Sequence, residues 1–138
     1  MKRLEAHDGV IVTGYVPDVR PYFEKASVFV APLRAGSGIQ TKNLEAMAMQ
    51  VPVVTTSVGA MGLEADAGKE LLVADTPMDF AEHVNQLLDS QRLRDSLAQT
   101  ARSRIEASYS WEAIGDRLKD VYTQAVRASK HKAEINHT

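Results

Sequence analysis

RAGSGIQTKNLEAMAMQVPVVT, Arg34 to Thr55, is the stretch on which the fold turns. A loop of small residues runs into a short helix that carries one acid, Glu45, among small apolar side chains. Pro52 and a β-branched run follow at once, reading as a strand over Pro52–Ser57. Directly upstream, SVFVAP (Ser27–Pro32) is a second such run, stopped by Pro32. Strand, glycine loop, helix and strand in that order make a parallel βαβ unit.

Outward from this unit the alternation continues. VIVTG (Val10–Gly14) reads as a buried strand ending in Gly. PDVRPYFEKA (Pro17–Ala26) reads as a short helix, with Asp18 placed to cap it and Pro21 in its first turn. VGAMGLEADAG (Val58–Gly68) is a loop with room for one helical turn, and KELLVAD (Lys69–Asp75) is a fourth strand. Three helices follow. Thr76 caps the first, ahead of Pro77 and Asp79, and Phe80, Ala81, Val84, Leu87 and Leu88 form its apolar stripe. Leu93, Leu97, Ala101 and Ile105 recur at every fourth residue in the second. Ser110 caps the third, whose Ile114, Leu118, Val121, Tyr122 and Val126 are expected to face inward. The class is α/β: an open, mainly parallel sheet with helices on both faces.

At 138 residues the chain makes one compact domain. An apolar fraction of 44% and a charged fraction of 25% place it among soluble globular proteins. A net charge of -2 gives no general attraction to nucleic acid, and no basic–aromatic face suggests one. Without cysteine there is neither a disulfide nor a zinc–thiolate site, which fits a reducing compartment. His7, His83, His131 and His137 have no ligand spacing, so no metal is expected. The loop lacks the GKS or GKT of a P-loop, and GSG is no nucleophile elbow. The polar start, MKRLEAHDG, shows no signal peptide. The expected domain spans residues 1–128, with a polar tail over 129–138.

Ligands of open α/β sheets bind at the carboxyl ends of the strands. The loops after Gly14, Pro32 and Ser57 all belong to that edge. Free N–H groups at a helix start attract a phosphate, and Gly36 and Gly38 allow close approach to the backbone. Glu45, one turn beyond Thr41 and expected on the face that looks back toward the loop, cannot bind phosphate but suits a pair of sugar hydroxyls. A second reading is open for each feature. Ser37 and Gln40 match a capping box that would only start the helix, and Glu45 would also serve as a solvated helix charge.

The segment GSGIQTKNLEAMAMQVPVVTTSVGAMGLE resembles the signature region of family 4 retaining glycosyltransferases of GT-B architecture. VIVTGYVPDVRPYFEKASVFVAPLR before it, GKELLVADTPMDFAEHVNQLL after it and YSW at Tyr109–Trp111 share the likeness, which spans about Val10 to Val126. The subtype resembles bacterial sugar transferases of exopolysaccharide gene clusters, including exosortase-associated ones. The resemblance implies a Rossmann-like donor domain and a UDP- or GDP-sugar as donor, with no cofactor. It implies that Glu45 holds the ribose as the second acid of the family's E-x7-E motif. Ser37 stands where the first acid usually touches the donor sugar, a departure from the pattern. Gly38, Ile39, Gln40 and Thr41 align with the segment whose amides meet sugar and diphosphate, with Lys42 a further cation beside it. Tyr15 and Val16 follow the strand whose loop contacts the base. Gln50 stands where the family usually has Gly before the Pro.

The resemblance also implies a parent with an N-terminal acceptor domain and two further donor-domain strands carrying cations for the leaving diphosphate. By this reading the parent is a cytoplasmic enzyme, with room for peripheral association at the inner face of the membrane, and the 138 residues alone are inactive. Val10–Gly14 is then expected to pair directly with Ser27–Ala31 in a four-stranded sheet, with some homodimerisation through the exposed edge. The competing class is a regulatory α/β module of flavodoxin or receiver type, which would need an acidic cluster at the strand ends.

Overall fold

The computed structural model describes residues 7–135. It is an α/β fold whose sheet holds three parallel strands, β1 (Phe29–Ala31), β2 (Val53–Thr55) and β3 (Leu72–Val73), in that spatial order. The register sets Phe29 opposite Val53 and Val54 opposite Leu72. Six helices surround it: α1 (Arg20–Lys25), α2 (Thr41–Ala48), α3 (Ser57–Ala60), α4 (Pro77–Asp89), α5 (Gln91–Tyr109) and α6 (Trp111–Ile135). The all-buried β2 is the central strand, and every residue of it is apolar or β-branched. Met47, Val51, Val53 and Leu71 form the core with Phe23 and Ala101, and the Phe23 ring meets Phe29 at 5.4 Å between centroids.

Local chemistry sets most helix ends. Thr76 Oγ1 accepts from the Asp79 amide at 3.2 Å to start α4, and Ser110 Oγ accepts from Ala113 at 3.1 Å to start α6. Ser90 does the same for α5 through Leu93. Asp18 lies one residue before the N-cap of α1, Val19, yet still accepts the Arg20 amide at 3.0 Å. At the end of α2 the Gln50 amide bonds Met47 O at 3.1 Å and the Val51 amide bonds Ala46 O at 2.9 Å. This paired closure requires a left-handed residue, and Gln50 takes it with φ +57°.

Four expectations are corrected. Val10–Gly14 is not a strand, so the four-stranded sheet does not form. Gly9 and Gly14 flank the segment with left-handed turns, and Ile11 is 87% exposed. A parallel strand holds only when its faces are covered, and among the described residues Ile11 is left largely exposed. The strand over Lys69–Asp75 shrinks to Leu72–Val73, because the Lys69 and Glu70 amides turn back to Asp66 O instead of joining the ladder. Ser37 and Gln40 form no capping box; α2 begins after Gln40 without a side-chain cap. The stripe of α6 does not face inward: Leu118, Val121, Tyr122 and Val126 are exposed. Ser110, with ψ 153°, turns the chain away from α5, and Arg117 ties the start of α6 to Glu64 at 2.9 Å and to the Ser108 carbonyl. Helix α6 runs to Ile135. The polar start over residues 1–6 and the tail end over 136–138, with His137, lie outside the described residues.

Candidate functional site

The glycine loop of the quoted stretch lies at the carboxyl edge of the sheet. Strand β1 ends at Ala31, and the loop Pro32–Gln40 carries the chain to α2. Gly38 takes φ +70°, a left-handed turn that glycine adopts without strain. Ser37, Gly38 and Ile39 are exposed, Gln40 is half-buried at the N-cap of α2, and Thr41 is its exposed first residue. Helix α2 has no acid in its first turn, and the stretch Arg34–Leu44 carries two cations, Arg34 and Lys42, without a carboxylate. Neither cation enters an ion pair among the described residues. Uncapped amides, a positive helix end and two unpaired cations together favour an anion here.

Glu45 lies one helical turn past Thr41, but it faces α1. With Ala48 and Met49 it borders a cleft of about 440 Å³ whose other wall is Pro17, Asp18, Val19, Arg20 and Phe23. The loop Ser37–Thr41 does not line that cleft. Val16 borders a neighbouring cleft with Pro17, Asp18, Pro21, Tyr22 and Lys25, so Val16 and Glu45 are linked through Pro17 and Asp18. Tyr15 joins neither and is 92% exposed. The Arg20 guanidinium at the cleft rim is already committed, binding both Asp18 oxygens at 2.8–3.1 Å. That side-chain bonding, helped by the Arg20 amide, holds the Asp18 carboxyl below its ordinary pKa and raises that of Arg20. Glu45 is therefore the uncommitted carboxylate of this cleft.

Two features escaped the sequence reading. Arg34 borders a larger cleft of about 630 Å³ across the ends of all three strands, shared with Thr56, Val58, Asp75 and Phe80. Asp75 spans its floor by accepting the Ser57 amide and hydroxyl at 2.9 Å each. Asn43 is buried in the first turn of α2, where its Nδ2 donates to Gly59 O at 2.8 Å. A signal existed: Asn43 precedes the buried Ala46 and Met47 by three and four residues, a polar side chain in line with an apolar stripe.

Residues 1–90 match the family described as Glycosyl transferases group 1. Among curated proteins, the chain is 27% identical over 131 residues to "Capsular polysaccharide biosynthesis glycosyltransferase CapM" of Staphylococcus aureus, covering 94% of this chain and 34% of that protein. It is 26% identical over 108 residues to "Spore coat protein SA" of Bacillus subtilis, covering 76% and 29%. It is 30% identical over 103 residues to the "GDP-mannose-dependent monoacylated alpha-(1-6)-phosphatidylinositol monomannoside mannosyltransferase" of Corynebacterium glutamicum, covering 70% and 27%. The chain spans about a third of the length of the curated relatives it matches. With the glycine loop, α2 and the parallel sheet all inside the matched residues, the chain belongs to the group 1 glycosyl transferases.

Proposed function

We propose that this chain is the nucleotide-sugar-binding part of a retaining glycosyltransferase that delivers a sugar to a glycan or lipid-linked acceptor. The observation that carries the reading is the placement of Glu45. It stands one turn beyond the exposed amides of the Gly38 loop and opens on the cleft walled by Pro17–Arg20. The loop would take the diphosphate and sugar through Ser37, Gly38, Ile39, Gln40 and Thr41. Glu45 would take the ribose hydroxyls, and the Tyr15–Val16 segment the base. The donor is a UDP- or GDP-sugar; one relative is named for its dependence on GDP-mannose, another for capsular polysaccharide.

A carboxylate that accepts from two hydroxyls binds and orients the donor; it takes no proton from an acceptor. Transfer also needs an acceptor held against the anomeric carbon and positive charge on the leaving diphosphate. Arg34 and Lys42 are the cations near the loop, and among the described residues no general base faces it. The 138 residues alone therefore bind the donor without transferring its sugar, and the rest of a longer parent supplies the acceptor site. No helix of the described residues is long and apolar enough to cross a membrane. We place the parent's activity at the cytoplasmic face of the membrane.

Calorimetric titration of the chain with UDP, GDP and their sugar conjugates tests the reading. Saturable binding is expected for one nucleotide. Glu45→Ala is expected to weaken it by about 1–3 kcal/mol, the cost of a lost hydrogen bond to a charged group. Equal affinity in the variant would remove Glu45 from the site. Release of sugar from any donor by the purified chain would contradict its inactivity.

A further inference from the structure

We infer that Asn43 is a positioning residue that fixes the Ser37–Thr41 loop against the turn Ser57–Gly62, and so sets how firmly the loop grips a diphosphate. The inference rests on the donor-binding reading above. Asn43 is the third residue of α2, so its side chain leaves from the helix turn that presents the loop amides. It points into the protein and is 1% exposed. Its Nδ2 donates to Gly59 O at 2.8 Å and reaches Thr55 Oγ1 at 3.5 Å. The Thr55 hydroxyl spends its one proton on Ala31 O at 3.0 Å, so towards Asn43 it can only accept. Gly59 O also needs a donor. Both partners thus demand the amide nitrogen, which fixes the orientation of the Asn43 side chain. A directed relay runs from the first turn of α2 through the end of β2 to the last carbonyl of β1.

The same turn meets the loop at a second place. A Cβ on Gly62 would lie 3.3 Å from Ile39 Cγ1, so Gly62 and Ile39 are in close approach. At Gly59 a Cβ would lie 2.0 Å from Thr55 Oγ1, leaving glycine as the residue that fits beneath the relay. Thr56 Oγ1 ties the turn onward, donating to Leu33 O at 2.6 Å and accepting from the Gly59 amide at 3.1 Å. The loop is therefore held at Asn43 and Ile39, while Ser37, Gly38 and Thr41 are exposed. Asn43 Oδ1 has no hydrogen-bond partner although it is buried.

The test compares the chain with Asn43→Leu, which keeps the branched outline and has no donor, and with Thr55→Val as a second variant should the first not fold. Calorimetry measures affinity for the nucleoside (uridine or guanosine) and for the matching diphosphate; 15N relaxation measures the order of Gly38–Thr41. We expect a folded variant that loses roughly tenfold in diphosphate affinity, or about 1.4 kcal/mol, keeps its nucleoside affinity and shows a more mobile loop. An equal loss for nucleoside and diphosphate, or no loss with unchanged loop order, overturns the inference. If the unaltered chain binds no nucleotide, the donor reading falls. The relaxation data then decide the role of Asn43 alone: unchanged order in the variant rejects it, and a loosened loop upholds it as a loop anchor.

Discussion

Arg104 Nη2 on α5 lies 3.3 Å from Glu70 Oε1 in the turn before β3, and Glu70 is only 4% exposed. Its other oxygen accepts the Asp66 amide at 2.5 Å, so both carboxylate oxygens are bound. The pair fastens α5 to the turn that precedes β3. Removing the guanidinium would leave an enclosed carboxylate with half its partners. Arg104→Ala is expected to lower stability by about 1–3 kcal/mol, less than for a fully buried pair because Arg104 itself reaches solvent. Glu70→Gln keeps an acceptor for Asp66 and should cost less. Urea unfolding of the two variants gives the order.

Gln50 offers a stabilising change. Its φ of +57° closes α2 through the bonds to Met47 and Ala46, and a side chain with a Cβ is strained there. Gln50→Gly relieves that strain without touching the core, since Gln50 is exposed. A gain of about 0.5–1 kcal/mol is expected, partly offset by the greater freedom of unfolded glycine. A raised melting temperature with unchanged circular dichroism would bear this out.

Gly59 is expected to tolerate no side chain. The 2.0 Å approach to Thr55 Oγ1 involves a short, buried side chain that cannot swing away while it bonds Ala31. Gly59→Ala should destabilise by about 1–3 kcal/mol, as overpacking does. The double variant Gly59→Ala with Thr55→Ser should do no better, because the hydroxyl that clashes is retained. Thermal melts of both test this.

Asp18 and Arg20 give a pH dependence whose sign follows from the lowered carboxyl pKa. A group whose pKa drops on folding stabilises the folded state above its unfolded value, here near 3.8, and loses that contribution as pH falls through the folded value. The pair is solvent-exposed, so the effect is small and weakens with salt. In Arg20→Ala the Asp18 carboxyl should titrate higher than in the unaltered chain, with the backbone amide at position 20 keeping part of the lowering. Carboxyl carbon shifts followed by NMR across acid pH measure it.

Class and order were legible in the sequence, and the reason is local. Thr76 with Pro77 and Asp79, Ser110, the apolar run at Phe29–Ala31 and the β-branched run at Val53–Thr55 act through their own backbone neighbours, so they form where residue type alone places them. The glycine loop before Thr41 was readable as a helix start, although Ser37 and Gln40 do not cap it. What only the tertiary structure decided depends on what lies across from a residue. Val10–Gly14 has the composition of a strand, yet a strand exists only where a neighbour and a cover are supplied. The α6 stripe has helical periodicity, but periodicity fixes which residues share a face and not whether that face is covered. Asn43 reads as one polar residue in a helix; its role depends on Thr55 and Gly59, 12 and 16 residues away. Glu45 was placed on α2 by its spacing, and the packing of α1 against that helix opened its cleft toward Pro17–Arg20.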